Sequence, residues 1–368
     1  MSGPVNMRSI WHFFPGESRH HVIGMIDVFE KYKRELCGEN VNFKYVLYVG
    51  DTNHGEREKE YEDYFAGKPD IAYSVVALAA MRTTIRRIAS QDVILFHSTL
   101  FPVNRLYLTG TFLRRRIVFI HWVTYYRRKG LRGSLADKVF GAVMRQAVFN
   151  VFLVRKDKLL QESQFGIKNG LVLSYFSETL QGEELDYSQR PLKVIVGNCG
   201  TESNRHLHVL RALAKFSKED LLIYCPLSYR FENAYRDEVI ALGRQLFGTK
   251  FVPITEMLSR PDYLALLDSC HIAILDMQEQ QALFQLYTML SFGRKVYLMA
   301  DGFNHDLVQS IGITTPTTDL LRNEEYAAFS AFDRETARKQ QQVMKSYLSL
   351  DRFVTDWAEL IARSLRPG

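Results

Sequence analysis

Between residues 197 and 206 the chain reads Gly197-Asn198-Cys199-Gly200-Thr201-Glu202-Ser203-Asn204-Arg205-His206, a run of small and polar residues suited to holding an anion. The apolar stretch Leu192 to Val196 before it has the composition of a strand buried on both faces. Ser203 stands as an N-cap, and an apolar-periodic helix continues to Phe216. Strand, small-residue turn and helix N-terminus together gather backbone N–H groups at the positive end of a helix dipole. A diphosphate suits that place. Arg205 and His206 add positive charge, and Asn198 stands at the strand's end, where polar residues of a doubly wound domain meet ligand.

The elements that must position this loop alternate along the chain. In the first half, strands are expected at Ser9–Phe14, Phe43–Val49, Ile71–Val76, Asp92–His97, Ile117–Trp122, Val148–Val154 and Gly170–Phe176. Helices are expected at Ser18–Cys37, Glu56–Phe65, Leu78–Ala89, Val103–Leu113 and Ser134–Ala147. A polar, acidic stretch ending in Pro191 reads as a linker. The alternation then restarts: strand Leu192–Val196, helix Ser203–Phe216, strand Leu221–Cys225, helix Glu232–Phe247, strand Lys250–Ile254 and helix Pro261–Cys270. Strand Ile272–Leu275, a helix to Leu290, strand Lys295–Met299 and a largely helical tail complete it. The division is an N-terminal domain at 1–177, a linker at 178–191, a C-terminal nucleotide-sugar domain at 192–333 and a helical tail at 334–368 packing back on the first domain. Two doubly wound α/β domains facing a central cleft make the GT-B architecture, which serves glycosyltransferases and some nucleotide-sugar epimerases.

At 368 residues, 46% hydrophobic and 24% charged, the chain is long enough for two such domains. No run of about 18–20 apolar residues would span a bilayer, and the first residues carry no signal-peptide pattern. The four cysteines are scattered, with no pair spaced for zinc, and read as reduced core thiols in a cytoplasmic protein. The net charge of +6 is uneven: Arg82 to Lys168 holds 17 Lys and Arg against 4 Asp and Glu, a balance of +13 that leaves −7 elsewhere. Arg114, Arg115, Arg116, Arg127, Arg128 and Lys129 form its densest part, next to aromatic residues. Such a surface attracts phosphates. Without a nucleic-acid-binding motif beside it, the expected partner is an anionic membrane surface and not nucleic acid.

An ordered series of residues carries a resemblance. Val196-Gly197-Asn198-x-Gly200-x-x-Ser203-Asn204-Arg205-His206 is followed by Pro226-Leu227-Ser228-Tyr229, by Asn233 and Tyr235, by Tyr263-Leu264-x-Leu266-Leu267-x-x-Cys270 and by Gln280-Gln281. The series resembles the bacterial 4-acetamido-4,6-dideoxygalactose (Fuc4NAc) transferases, glycosyltransferase family 56, best over residues 192 to 320. In the first half, Gly16-Glu17-Ser18-Arg19-His20-His21 is similar to the family's Gly-Ser-Asp-x-x-His-His. His121-Trp122 falls where the family has a His/Trp-containing strand end.

The resemblance implies transfer of a deoxyamino sugar from a dTDP- or UDP-linked donor to a polyprenyl-diphosphate-linked saccharide, at the cytoplasmic face of the bacterial inner membrane, as in assembly of enterobacterial common antigen. It implies donor contacts at Gly197, Asn198, Gly200, Ser203, Asn204, Arg205, His206, Pro226, Ser228, Tyr229, Asn233, Gln280, Gln281 and Gln285. Acceptor contacts are expected at Gly16, His97, Ser98, His121 and Trp122. The leaving nucleoside diphosphate needs preorganised N–H donors and cations. No Asp-x-Asp metal motif occurs, so metal-independent transfer with no cofactor is expected. His20, His21 and Asp27 are the candidate bases for the acceptor hydroxyl.

One segment departs from the pattern. Where the family has Arg-Gln-Gln-Gly-x-Gly-Thr, this chain has Glu279-Gln280-Gln281-Ala282-Leu283-Phe284-Gln285. An acid replaces the arginine and both glycines are gone, which removes a charge and restricts close backbone approach. A different donor sugar, a nucleotide-sugar epimerase or hydrolase of the same fold, and a non-catalytic scaffold in a glycan-assembly complex all stay open.

Overall fold

The computed structural model describes residues 8–98, 115–122, 131–175 and 181–366. The chain forms two compact units. One runs to Leu153, resumes at Asp157 and takes in the terminal helix from Leu350; the other comprises Val154–Lys156 and the chain up to Ser349.

The first unit is built on seven parallel strands: β1 (Arg8–Pro15), β2 (Val41–Val49), β3 (Tyr73–Ala77), β4 (Val93–His97), β5 (Arg116–His121), β6 (Phe149–Phe152) and β7 (Gly170–Val172). Their order is β3-β2-β1-β4-β5-β6-β7, with Ile10 paired to Phe43 on one side and Val93 on the other. The order reverses between β1 and β4, the switch point at which doubly wound sheets bind ligands. Alternation along β1 sends Ile10 and Phe14 to one face and Phe13 to the other, so each face has its own core. The second unit holds five parallel strands, β8 (Leu192–Val196), β9 (Leu221–Pro226), β10 (Phe251–Ile254), β11 (Ile272–Leu275) and β12 (Lys295–Leu298), in the order β10-β9-β8-β11-β12. Its switch point lies between β8 and β11, where Val194 pairs with Ile272. This is the doubly wound pair of the GT-B fold.

Several elements differ from expectation. A helix at Arg155–Phe165 follows β6, and further helices form at Phe303–Ser310 and Tyr326–Ser330. They are short or polar on most faces, so their periodicity is weak. The tail is two helices, Arg334–Tyr347 and Leu350–Leu365, interrupted at Leu348 and Ser349. The former packs in the second unit, where Gln340 Nε2 donates to the Arg294 carbonyl at 2.9 Å. The latter belongs to the first unit, where Trp357 is fully enclosed and donates to the Ser174 carbonyl at 2.9 Å. The helix expected over 103–113 lies outside the described residues. Among the described residues no helix is long and apolar enough to cross a membrane.

Candidate active site

At the carboxyl end of β8 the chain turns on Gly197, whose φ of +68° favours glycine. A Cβ there would lie 2.3 Å from His206 Nε2, so no other residue fits. Gly200 is equally confined: its Cβ would sit 2.5 Å from Phe231 Cβ, and the two loops are stitched by Gly200 N–H to the Tyr229 carbonyl and Glu232 N–H to the Gly200 carbonyl, both 3.1 Å. Asn204 organises the turn from inside. Its Oδ1 accepts the Asn198 amide at 2.9 Å, and its Nδ2 reaches Cys199 Sγ, Thr201 Oγ1 and Gln281 Oε1.

The expected N-cap at Ser203 is not formed. Residues Glu202–Asn204 make a 3-10 turn, and Arg205, left-handed at φ +50°, precedes the helix His206–Leu213. Ser203 Oγ instead pairs with the Gln281 side chain at 3.0–3.1 Å and with Thr201 Oγ1 at 2.9 Å, joining the loop after β8 to the loop after β11. Most amides of this turn already have acceptors. Those of Gly197, Asn198, Gly200, Thr201, Asn204, Arg205 and His206 all donate within the protein. The open nest of N–H groups expected here is therefore largely closed.

Donors for an anion lie at the neighbouring helix Leu283–Ser291, whose first-turn amides have no intrahelical acceptor. It begins at Ala282, a second left-handed residue at φ +57°, and Asn304 Nδ2 pins the preceding Gln281 carbonyl at 2.8 Å. Two non-glycine residues in this conformation, each starting a helix at the same switch point, mark local strain of the kind that gathers at functional sites. Gln285, one turn in, is buried and accepts from Tyr263 OH at 2.9 Å, while its Nε2 has no partner among the described residues. Gln280 is buried as well. Burial raises the half-buried Glu279 carboxyl above its ordinary range.

Arg205 and His206 differ in what they offer. The Arg205 side chain is 39% exposed and its Nε lies 3.3 Å from Asp276. His206 is enclosed, within 3.3 Å of Tyr235 OH, and burial lowers its pKa to about 4. It supplies no positive charge at neutral pH, contrary to the expectation from sequence; desolvation outweighs the phosphate-binding logic. Pro226 ends β9, Tyr229 is exposed on the loop that follows, with Ser228 before it, and Asn233 opens the helix Asn233–Phe247 on an exposed face.

In the first unit, Gly16 follows β1 directly, where Tyr61 OH donates to its carbonyl at 2.8 Å. His20 and His21 lie in the helix Arg19–Lys31, their side chains outside the described part. Asp27 is six to seven residues, about 9–10 Å, further along that helix. Its carboxylate is engaged by Tyr64 OH at 2.6 Å and Lys68 Nζ at 2.7 Å on the surface, so it does not join the strand-end residues. His97 ends β4 but points inward, with Nε2 3.1 Å from His12 Nδ1 and Nδ1 2.5 Å from Tyr175 OH, which also accepts from Trp122 Nε1 at 3.0 Å. Burial holds His97 well below its usual range and lowers His12 to about 3. Ser98 is buried at φ +88°, another strained switch-point residue. His121 is buried, 3.1 Å from Asn150 Oδ1, with its pKa lowered to about 4 by burial.

Arg115 and Arg116 are drawn to helix ends. Arg115 donates to the Arg86 carbonyl at 2.8 Å and to that of Ile88, and Arg116 to the Ser364 carbonyl at 2.8 Å and to that of Arg366. Cations there complement the negative end of the helix dipole. Arg114, Arg127, Arg128 and Lys129 lie outside the described residues.

Sequence reasoning missed Asp276, which holds Arg205, and His208 and Thr318, which hold Asp276. The available signal was a polar residue immediately after the apolar strand Ile272–Leu275.

With this geometry in view, similarity to known proteins identifies the chain. The sequence model of 4-alpha-L-fucosyltransferase, glycosyl transferase group 56, matches residues 7–363. The chain belongs to glycosyltransferase family 56. The family 56 fold is similar to that of a glycosyltransferase from Rickettsia africae, at 14% identity and a TM-score of 0.71, covering 99% of this chain and 100% of that one. It is also similar to Anabaena HepE in complex with UDP-glucose, at 12% identity and a TM-score of 0.67, covering 96% and 99%. The N-terminal domain of Candida albicans trehalose-6-phosphate phosphatase matches at 10% identity and a TM-score of 0.69, covering 98% and 96%. As a family 56 member the chain is a glycosyltransferase.

Proposed function

We propose that this family 56 enzyme transfers a deoxyamino sugar of the Fuc4NAc kind from a dTDP- or UDP-linked donor to a lipid-linked saccharide in bacterial surface-polysaccharide assembly. The observation carrying this reading is the juxtaposition of partly exposed Arg205 with the left-handed start of the helix Leu283–Ser291 at the switch point of the second unit. In transfer, the acceptor hydroxyl oxygen forms a bond to the anomeric carbon as that carbon's bond to the diphosphate oxygen breaks. The departing negative charge is met by the Arg205 guanidinium and the first-turn amides. The hydroxyl proton passes to a base, for which His20 and His21 are our candidates. No metal and no further cofactor enter this reading.

The acceptor's polyprenyl diphosphate would bring the enzyme to the cytoplasmic face of the inner membrane as a peripheral protein, and the basic stretch from Arg82 to Lys168 supports contact with anionic lipid. Thermal stabilisation by a panel of dTDP-, UDP- and GDP-sugars tests the donor: the transferase reading fails if none protects the protein. Flotation with anionic vesicles tests the membrane. Charge reversal at Arg127, Arg128 and Lys129 should abolish retention, and these positions are preferable to Arg115 and Arg116, whose side chains hold helix ends.

A further inference from the structure

Asp276 directly follows β11, the strand beside β8, and only 1% of its side chain is exposed. A carboxylate so enclosed keeps its charge only where donors surround it. Thr318 Oγ1 donates to Oδ1 at 2.6 Å, while Oδ2 lies 2.8 Å from His208 Nδ1 and 3.3 Å from Arg205 Nε. His208 Nε2 is 3.1 Å from the Arg322 guanidinium. A guanidinium only donates, so His208 Nε2 is the acceptor and its ring proton sits on Nδ1, facing Asp276. The carboxylate is thus fixed by Thr318 and His208 before Arg205 is considered.

The two partners of this ion pair differ in exposure, 1% for the Asp276 side chain against 39% for that of Arg205. Here the acid is enclosed and the base is not. Asp276 holds Arg205 at Nε, and NH1 rests 3.8 Å from Met299 Sδ. A guanidinium held by Nε keeps N–H groups of its fork for a second anion, in the planar arrangement that matches phosphate oxygens. A free arginine at a loop would lose rotamer freedom on meeting that anion, and the tether removes the loss in advance.

We propose that Asp276, backed by His208 and Thr318, is a positioning residue that aims Arg205 at the diphosphate of the donor. This rests on the nucleotide-sugar reading above.

The test uses the full chain, with UDP and dTDP as probes and uridine and thymidine as phosphate-free controls. Arg205→Ala should weaken diphosphate binding about 10- to 100-fold, the worth of a charged hydrogen bond, and leave nucleoside binding unchanged. Asp276→Asn, which keeps the shape and removes the charge, should weaken it about 3- to 10-fold, and Thr318→Val less. The double variant should bind no worse than Arg205→Ala alone, because both changes act through one side chain. The Arg205 Nε resonance in an arginine-labelled sample should report an ordered group in the wild type and an averaged one in Asp276→Asn, with ligand absent. A wild type and Asp276→Asn that bind diphosphate equally, or losses that simply add, refute the positioning role alone. A wild type that binds neither UDP nor dTDP refutes the donor reading, and the positioning role falls with it.

Discussion

Ala282 offers a direct test of whether the start of the helix Leu283–Ser291 is strained. Its φ of +57° and ψ of +25° place an L-residue in the left-handed region, at a cost of about 1–2 kcal/mol. The conformation is imposed from both sides: Asn304 fixes the preceding carbonyl, and the Leu286 amide takes the Ala282 carbonyl at 2.8 Å as the helix begins. Ala282→Gly removes the steric cost. It also enlarges the unfolded ensemble by about 0.4–1 kcal/mol and gives up one partly buried methyl. The balance is a stabilisation of about 0.5–1 kcal/mol, or roughly 1–4 °C in the melting of a unit of this size. Ala282→Val works in the opposite sense, because a branched Cβ is excluded from this region more strongly; it should destabilise by at least about 1 kcal/mol. Guanidinium denaturation of the three proteins, followed alongside calorimetry, gives the order Gly above Ala above Val. Loss of stability in Ala282→Gly, or Val equal to Ala, would refute the reasoning.

Gly197→Ala should cost about 2 kcal/mol or more, since both its φ and the 2.3 Å approach to His206 forbid a Cβ; denaturation curves and donor binding should fall together. Trp357→Ala removes a fully enclosed indole and its bond to Ser174, and should destabilise the first unit by about 3–5 kcal/mol in urea, with the second unit's transition unmoved. Acid should weaken both units. Burial lowers His12 to about 3 and His121, His206 and His271 to about 4 from an ordinary 6.5, so below pH 6.5 the unfolded chain binds the extra protons. The stability present above that pH is lost as pH falls toward 4, at up to about 1.4 kcal/mol per unit and per histidine. Urea midpoints at pH 7.5, 6 and 5 that stay level would contradict this.

The doubly wound sheets were legible because the central strands are dominated by apolar residues, as in Leu192–Val196, broken only by Lys193, and Ile117–Ile120, a composition that suits strands buried on both faces. Turn chemistry was half legible. Gly197 and Gly200 announced a tight loop, but the residue starting the helix there is Arg205, in a left-handed conformation that its residue type does not announce. Ser203 has cap chemistry, yet its hydroxyl finds Gln281 across the turn, a partner 78 residues away that spacing does not reveal. Histidine roles were the least legible. A histidine at a strand end reads as a ligand-facing group, and only packing shows that His97 and His206 turn inward among aromatic rings.

The return of Leu350–Leu365 to the first unit sets an order on synthesis. The second unit's sheet is drawn from one stretch, Leu192 to Leu298, and all its strands are available before the terminal helix is made. The first unit emerges earlier from the ribosome but lacks the side chain that packs against Phe29 and Tyr175 until residue 357 has followed. Folding from the N-terminus onward, the usual course for multidomain chains, is therefore inverted: the unit translated first is the one completed last.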